Sequence, residues 1–194
     1  MSQNDSAPRQ RLPRAERRAQ LLQAARELIR EQGSDALTLA VLAEHAGVSK
    51  PVTYQHFGTR SAVLAELYRE FKARTHTALD VSLRSAPDSL PEVARIIAAA
   101  YIDCIDEEET ELPGIVGALS GSTELEKARD AADTAFSTRC RTALEPFTRD
   151  GNLPPAALHA ILGAADAIAR AIVLEQITPA EGKVALAKTV AGVV

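Results

Sequence analysis

Residues 38–60, TLAVLAEHAGVSKPVTYQHFGTR, decide the fold because they have the layout of two short helices joined by a tight turn. In the first half, apolar residues recur at helical spacing, at Leu39, Leu42, Ala43 and Ala46. We expect this helix to end at Gly47, because glycine adopts the left-handed conformation at low cost, and Val48 to turn inward. Ser49 is expected to cap the next helix with its hydroxyl, and Pro51 is tolerated so near a helix start.

The second helix, residues 50–56, is short and has few apolar side chains. We expect Val48 and Phe57 to hold it against the rest of the protein while its hydrogen-bonding side chains face outward. These side chains are Lys50, Thr53, Tyr54, Gln55 and His56. A helix that displays donors in this way fits the DNA major groove, which admits one helix and presents base edges.

Residues 46–67, AGVSKPVTYQHFGTRSAVLAEL, closely resemble the DNA-binding region of the tetracycline-repressor (TetR/AcrR) family. The positions that carry the resemblance are Ala46, Gly47, Val48, Ser49, Pro51, Tyr54, His56 and Phe57. Thr53 departs from the pattern, since the family often has leucine or isoleucine there, and it is expected to weaken one packing contact. The resemblance implies a ligand-responsive transcriptional regulator, a repressor, which binds a palindromic operator in double-stranded DNA as a homodimer. A small, mostly apolar molecule would release it.

The resemblance also implies two kinds of DNA contact. Base contacts fall on Lys50, Pro51, Val52 and Gln55. Lysine and glutamine can donate to base edges, whereas proline and valine can touch a thymine methyl group. Phosphate contacts, which fix position without reading sequence, fall on Thr38, Tyr54, His56 and Arg60. The alternative for Tyr54 and His56 is ordinary capping or core packing.

The composition of the 194-residue chain indicates helices that pack through small side chains, because aromatic residues make up only 4% and alanine is abundant. We therefore predict an all-α protein of about nine helices. The net charge of −4 is unevenly distributed. Residues 1–60 hold 9 Lys/Arg against 6 Asp/Glu, a net +3, and residues 61–194 hold 13 against 20, a net −7. The basic charge thus accompanies the helix pair, as expected when one domain meets phosphate.

Three segments make up the predicted organisation. Residues 1–13, with Arg9 and Arg11, form a flexible basic arm that either follows DNA into a minor groove or is a solvated tail. Residues 14–58 form a three-helix helix-turn-helix DNA-binding domain. Residues 59–194 form a helical ligand-binding and dimerisation domain.

A helix capped by Thr59 is expected to run to about Arg84 and to link the two domains, so it is the natural lever between a ligand site and DNA. The next helix ends in the acidic run 106–109, which could hold a cation or be a solvated helix end. Further helices are expected at residues 115–119, from Thr123 to near Asp150, after Pro154, and from Pro179 to about Val193.

The two C-terminal helices predict a dimer interface. The first of them has a wide apolar face that carries Leu158, Ile161, Ala165, Ile168 and Ile172. Together with the last helix, this face predicts a four-helix contact with a second copy. The alternative is burial within one subunit.

Interior candidates for an effector site are aromatic and thiol side chains of residues 60–149: Tyr68, Phe71, Tyr101, Cys104, Phe136 and Cys140. Core packing is the alternative for each, and only a cavity would favour ligand binding. Few charged residues lie on these inward stripes, although His76 or Arg95 could add a polar anchor. Neither cysteine has a His or Lys pattern that predicts an activated thiolate.

Motifs of other protein classes are missing from the sequence. It has no nucleophile elbow, phosphate loop or paired histidines at metal spacing, so we expect no enzyme activity, metal site or cofactor. We find no signal-peptide pattern and no apolar run of membrane-spanning length, so a cytoplasmic protein without a membrane partner is expected. Two other functions compete with transcriptional regulation. The first is a helical interaction protein that has kept the motif without using it, and the second is a helical enzyme.

Overall fold

The computed structural model describes residues 12–118 and 122–194, apart from the side chain of Val116. Over these residues the chain forms nine α-helices, two 3₁₀ turns and no strand, so the all-α prediction is confirmed. The helices are α1 (Arg14–Gln32), α2 (Leu39–His45), α3 (Lys50–Phe57), α4 (Arg60–Arg84), α5 (Leu90–Glu111), α6 (Ile115–Ala118), α7 (Thr123–Leu144), α8 (Pro155–Val173) and α9 (Pro179–Gly192). The 3₁₀ turns are Ser34–Ala36 and Glu145–Phe147. The predicted arm with Arg9 and Arg11 lies outside the described residues, apart from its last two positions.

Glycine and threonine set the helix ends around the motif. Gly47 follows α2 with a φ of 64°, a conformation that glycine adopts at low cost. The chain turns there, and the Val48 amide donates to the Ala43 carbonyl at 2.9 Å. Thr59 caps α4 by accepting a hydrogen bond from the Ala62 amide at 3.0 Å. These three predictions are confirmed.

Two predictions about α3 are wrong. Ser49 precedes the helix in an extended conformation, but its side chain makes no capping hydrogen bond. Thr53 does not face solvent, since it is fully buried, and its hydroxyl lies 2.9 Å from the Leu39 carbonyl and 2.8 Å from the Lys50 carbonyl. Because the Leu39 carbonyl belongs to α2, Thr53 ties the two helices together instead of weakening their packing.

The first hydrophobic core joins the N-terminal helices to the rest of the protein. Leu28 of α1, Leu42 of α2 and Phe57 of α3 pack there with the first half of α4. Leu112 and Ile115, at the end of α5 and the start of α6, are fully buried in the same core. The N-terminal helices therefore rest on α4 and on the α5–α6 connection at once.

The second hydrophobic core lies among α5, α7, α8 and α9, and it overturns part of the predicted dimer interface. The residues concerned are Leu158, Ile161 and Ala165, which are at most 7% exposed within one subunit. This part of the α8 face instead packs on the subunit's own helices, which was the alternative to a dimer contact. Ile168 and Ile172 are half-buried against Gly182 of α9, where a Cβ would lie only 2.7 Å from Ile172 Cδ1.

One helix bears on the prediction that no apolar run reaches membrane-spanning length. By length and composition alone, α8 could cross a membrane. Its contacts in the fold are with α5, α7 and α9, and its Asp166 accepts a hydrogen bond from the Tyr101 hydroxyl at 2.9 Å. These contacts make α8 an integral part of the second hydrophobic core.

Candidate nucleic-acid interface and ligand cavity

The predicted base contacts lie on the solvent side of α3. Lys50, Pro51 and Gln55 are exposed, and the predicted phosphate contact Tyr54 beside them is 55% exposed. Val52 differs because it is half-buried and packs on the first core, which leaves only part of its side chain for a base. The short helix thus offers three hydrogen-bonding side chains and one exposed apolar side chain to a groove.

The predicted phosphate contacts Thr38 and His56 have different surroundings. The Thr38 oxygen caps α2 at 3.1 Å from a backbone amide, while its exposed O–H can still donate to a phosphate. His56 is half-buried, and its Nδ1 is enclosed without a hydrogen-bond partner in the described part of the chain. Burial lowers the pKa of His56 below 6.5, and Arg14, Arg18 and Arg17 lower it further. The imidazole is therefore neutral at pH 7 and can donate through only one ring nitrogen.

Arg60, the fourth predicted phosphate contact, binds the loop that precedes α2. Its Nε donates to the Leu37 carbonyl at 2.9 Å, and its Nη2 donates to the Ser34 carbonyl at 2.7 Å. These bonds give Arg60 a structural role, because they hold the start of α4 against the start of α2. A phosphate would have to share the guanidinium with both carbonyls.

Part of the N-terminal basic charge is neutralised inside the protein. Arg18 and Arg26 form ion pairs with Glu66 and Glu70 of α4, although the sequence counts both arginines toward the basic half. Arg14 and Arg17, at the start of α1, lie close enough to α3 to lower the pKa of His56. The family pattern does not extend to these two arginines, so it does not single them out as DNA contacts.

A cavity of about 550 Å³ lies between α4, α5, α7 and α8. Four predicted effector residues line it: Tyr68, Tyr101, Cys104 and Phe136. The predictions for Phe71 and Cys140 are wrong, because each is 1% exposed and belongs to the packed first or second core. The cavity reaches the protein surface near the end of α8, where the exposed Val173 and Leu174 line it.

Charged side chains line this cavity, contrary to the expected scarcity of charge. Lys72 Nζ lies 2.6 Å from Glu108 Oε2, and the Glu108 side chain is only 5% exposed. Glu108 therefore turns inward from the acidic run 106–109 and is not part of a solvated helix end. Burial lowers the pKa of Lys72, but the charge and hydrogen bond of Glu108, together with Cys104 and Tyr68, outweigh it, so the pKa is raised and Lys72 stays charged. Within residues 12–118 and 122–194, no cluster of His, Cys, Asp or Glu could hold a metal ion.

Aromatic rings form another wall of the cavity. Tyr101 meets Phe136 edge-on with ring centroids 5.2 Å apart, and His76 stacks on Phe136 at 6.5 Å. Burial lowers the pKa of His76 to about 4, aided by nearby positive charges, so this ring is neutral at pH 7. The Tyr101 hydroxyl donates to Asp166, which fixes the ring. The cavity thus combines flat apolar surface with immobilised polar groups.

Neither Cys104 nor Arg95 adds a reactive or anchoring group. Cys104 Sγ lies 3.3 Å from Lys72 Nζ, yet burial raises the pKa of the thiol by more than the lysine lowers it. The thiol is therefore protonated at pH 7, in line with the absence of an activating pattern. Arg95 is exposed and pairs with Glu92, and it does not line the cavity.

The N-terminal helices define a DNA-binding helix-turn-helix protein, since a glycine turn joins α2 to an α3 that exposes its polar side chains. Residues 21–67 match the family described as bacterial regulatory proteins, tetR family. Residues 21–67 therefore carry the DNA-binding region of this family. This match confirms the helix-turn-helix and the resemblance implied by residues 46–67.

The curated relatives match half of the chain or less. It is 35% identical over 98 residues to the HTH-type transcriptional activator FasR of Mycolicibacterium smegmatis, a match over 50% of this chain and 44% of FasR. It is 36% identical over 84 residues to the class D tetracycline repressor protein of Escherichia coli, over 43% of this chain and 37% of the repressor. The chain thus spans less than half the length of the curated relatives it matches.

Most of the chain resembles solved structures of transcriptional regulators. One is FadR from Bacillus subtilis in complex with stearoyl-CoA, with a TM-score of 0.67, 14% sequence identity and coverage of 91% of this chain and 98% of FadR. At this level of identity, the likeness establishes the fold of the helices beyond the motif.

Proposed function

We propose that the protein is a cytoplasmic, ligand-responsive transcriptional repressor that binds an inverted-repeat operator as a homodimer and is released by a small molecule. The cavity of about 550 Å³ carries this proposal, because α4 and α5 form its walls and also pack against the N-terminal helices. The relatives support it, since one is a tetracycline repressor and a structural neighbour holds stearoyl-CoA. FasR, by contrast, is an activator. That this protein represses transcription is therefore itself part of the proposal.

Ion pairs support a mechanical link between the cavity and the DNA-binding helices. Arg26 of α1 pairs with Glu70 of α4, and its Nε lies 3.8 Å from Glu111 of α5. Glu111 follows Glu108 by three residues. The last turn of α5 therefore carries both a residue that lines the cavity, Glu108, and the residue that contacts Arg26. A ligand that moves this turn changes the support of α1. The end of α5 can therefore transmit a ligand-induced movement to the DNA-binding helices, as α4 can.

Ligand control requires that the effector bind two arrangements of the protein with unequal affinity. A tenfold loss of operator affinity needs a difference of about 1.4 kcal/mol between them. Contacts with the aromatic wall formed by Tyr101 and Phe136 can supply this difference, together with the polar groups of the cavity.

The outer face of α8 supports the homodimer, in place of the buried contacts. Ala160, Gly163 and Ala167 are exposed and recur at helical spacing. Small residues allow two helices to approach closely, and exposed Val173 and Val184 add apolar surface beside them. Pairing of this face with its copy would be isologous and would form a four-helix contact with α9. The two α3 helices would then meet successive major grooves about 34–36 Å apart.

In the proposed complex, Lys50, Pro51 and Gln55 read base edges, and the exposed part of Val52 adds an apolar contact. Phosphate contacts come from Thr38, Tyr54, His56 and Arg60, joined by Arg14 and Arg17 at the start of α1.

Selection of duplex DNA from a random library with the purified full-length protein tests the proposal. We expect one inverted repeat to be enriched, and its affinity to fall steeply with salt because several phosphate contacts release counterions. A helical interaction protein that does not use the motif would enrich no sequence. A reporter gene behind the selected repeat then distinguishes repression from activation.

A further inference from the structure

We infer that the cavity binds a neutral aromatic hydroxyl compound, a phenol with a short apolar substituent, whose hydroxyl donates a hydrogen bond to Glu108. This inference rests on the proposed function and names the ligand class of the same cavity. It starts from Glu108 Oε1, which is enclosed and has no hydrogen-bond partner among the described residues. Glu108 itself is only 4% exposed and lines the cavity.

The unpartnered oxygen calls for a donor. Lys72 satisfies only the other oxygen, with Nζ 2.6 Å from Oε2, and the same ammonium group is also held 3.3 Å from Cys104 Sγ. Unlike Oε2, Oε1 has lost water without gaining a hydrogen bond in the free protein. A ligand hydroxyl that donates to Oε1, once the carboxylate turns this oxygen toward the cavity, removes that cost on binding. The missing bond therefore becomes a source of affinity and selectivity.

The charges around Glu108 favour a neutral donor. Lys72 already balances the Glu108 carboxylate, so an ammonium ligand would place a second positive charge beside Lys72. A carboxylate ligand would repel Glu108 and could not donate to it.

Farther along the cavity, Arg129 lies between two carboxylates, with Nη2 3.4 Å from Asp166 Oδ2 and Nε 3.8 Å from Asp133 Oδ2. The remaining charged lining residues, Arg170 and Glu109, are exposed and of opposite sign. Net charge is costly to bury, and a hydroxyl group brings a donor without charge.

The other walls favour an aromatic body. The rings of Tyr101 and Phe136 form a rigid surface with centroids 5.2 Å apart, and Tyr68 and Leu79 of α4 line the same space. A flat ring can stack on or meet these side chains edge-on. About 550 Å³ is ample for one ring with a short alkyl chain and lies within the usual range for ligand sites.

Calorimetric titration of the full-length protein without DNA tests the inference with three probes that share one tail. They are para-butylphenol, para-butylanisole, in which a methyl ether removes the donor, and para-butylbenzoate, which is anionic. We expect the phenol to bind about tenfold or more tightly than the anisole, because the ether cannot donate a hydrogen bond to the charged group. The benzoate should bind more weakly still.

Variants assign the preference to the carboxylate. Glu108→Gln should reduce the preference for phenol over anisole to less than about twofold, since the amide can point N–H instead of an acceptor at the ligand. The matched control is Glu107→Gln, at an exposed residue of the same acidic run that does not line the cavity, and it should keep the full preference.

Equal affinity of the unmodified protein for phenol and anisole, tighter binding of the benzoate, or no binding of the phenol overturns the inference without recourse to any variant. Because no DNA is present, a protein that selects no operator but prefers the phenol would refute the proposed function and leave the ligand class standing.

Discussion

Thr53 of α3 and Leu39 of α2 are joined by a hydrogen bond of 2.9 Å that is closed off from water, since Thr53 is fully buried. A helix as short as α3 is not stable by its own propensity and depends on tertiary contacts. The bond therefore helps to fix the helix that carries the candidate base contacts.

Replacing Thr53 by valine should lower the free energy of unfolding by about 1 kcal/mol, because the side chain keeps its shape but the buried carbonyl loses its donor. Urea denaturation measures the change. The control is Thr77→Val, where an exposed hydroxyl donates to the Ala73 carbonyl at 2.8 Å within α4. Equal effects of the two substitutions would mean that the hydrogen bond between α2 and α3 contributes nothing.

Removal of Glu108 should destabilise the protein strongly, because Lys72 would be left charged in a largely buried site. We expect Glu108→Ala to cost about 3–5 kcal/mol, and the double variant Lys72→Met, Glu108→Leu to cost much less, since no buried charge remains. Glu92→Ala, which breaks the exposed pair with Arg95, should cost at most about 1 kcal/mol. A double variant as unstable as the single one would contradict this account.

Substituting both Arg14 and Arg17 by alanine should weaken binding to all DNA sequences alike and reduce the salt slope by about 2, one for each phosphate that is no longer neutralised. Gln55→Ala should instead cost about 1–3 kcal/mol at one base pair and relax the preference there. Fluorescence anisotropy with the selected repeat and its single-base variants measures both effects. Arg84→Ala, at the far end of α4, serves as the control, and a slope that falls equally in this variant would remove Arg14 and Arg17 from the interface.

Acid should destabilise the protein through His76, whose pKa is lowered from 6.5 to about 4 by burial and nearby cations. The unfolded chain then binds the proton more tightly, so this contribution to stability is complete above pH 6.5 and is lost as the pH falls from 6.5 toward 4. His76→Gln should make the urea midpoint of denaturation depend less steeply on pH over this interval. His159→Gln, at an exposed position of α8, should retain the slope of the unmodified protein.

A negative charge at Ala167 should separate the proposed dimer into folded monomers, because two copies of the charge would face each other across the paired α8 helices. Sedimentation velocity reports the change. Ala131→Glu, at an exposed position of α7, should remain dimeric. If Ala167→Glu is dimeric as well, the outer face of α8 is not the interface.

Helix positions were predictable because periodicity and end signals agree along the chain. Gly47 and Thr59 act locally, so their roles can be read without knowing what packs on them. Thr53 was misjudged because a hydroxyl can satisfy itself on a buried carbonyl, which makes a polar residue compatible with the core.

The interior of the second half was harder to predict. Glu108 follows Cys104 by four residues and Tyr101 by seven, so it lies on the same stripe of α5 as two predicted cavity residues. The charge of Glu108 suggested exposure to solvent. Its burial is possible because Lys72 of α4 lies close enough to pair with it. Both faces of α8 are rich in apolar and small residues, so the sequence alone could not say which face the subunit covers. A cavity is space without packing, and periodicity does not distinguish Tyr68, which lines it, from Phe71, which does not.

The position of Leu112 and Ile115 beneath the N-terminal helices limits how this protein can be recombined with related chains. A chimera cut at residue 58 would receive α3 without the core residues on which the N-terminal helices pack, because those residues come from α4, the α5–α6 connection and the first turns of α7. Under the proposed function, operator specificity is therefore better changed by replacing the exposed α3 residues Lys50, Pro51 and Gln55 in place. Whole-domain grafts would need the donor's matching α5–α6 connection as well.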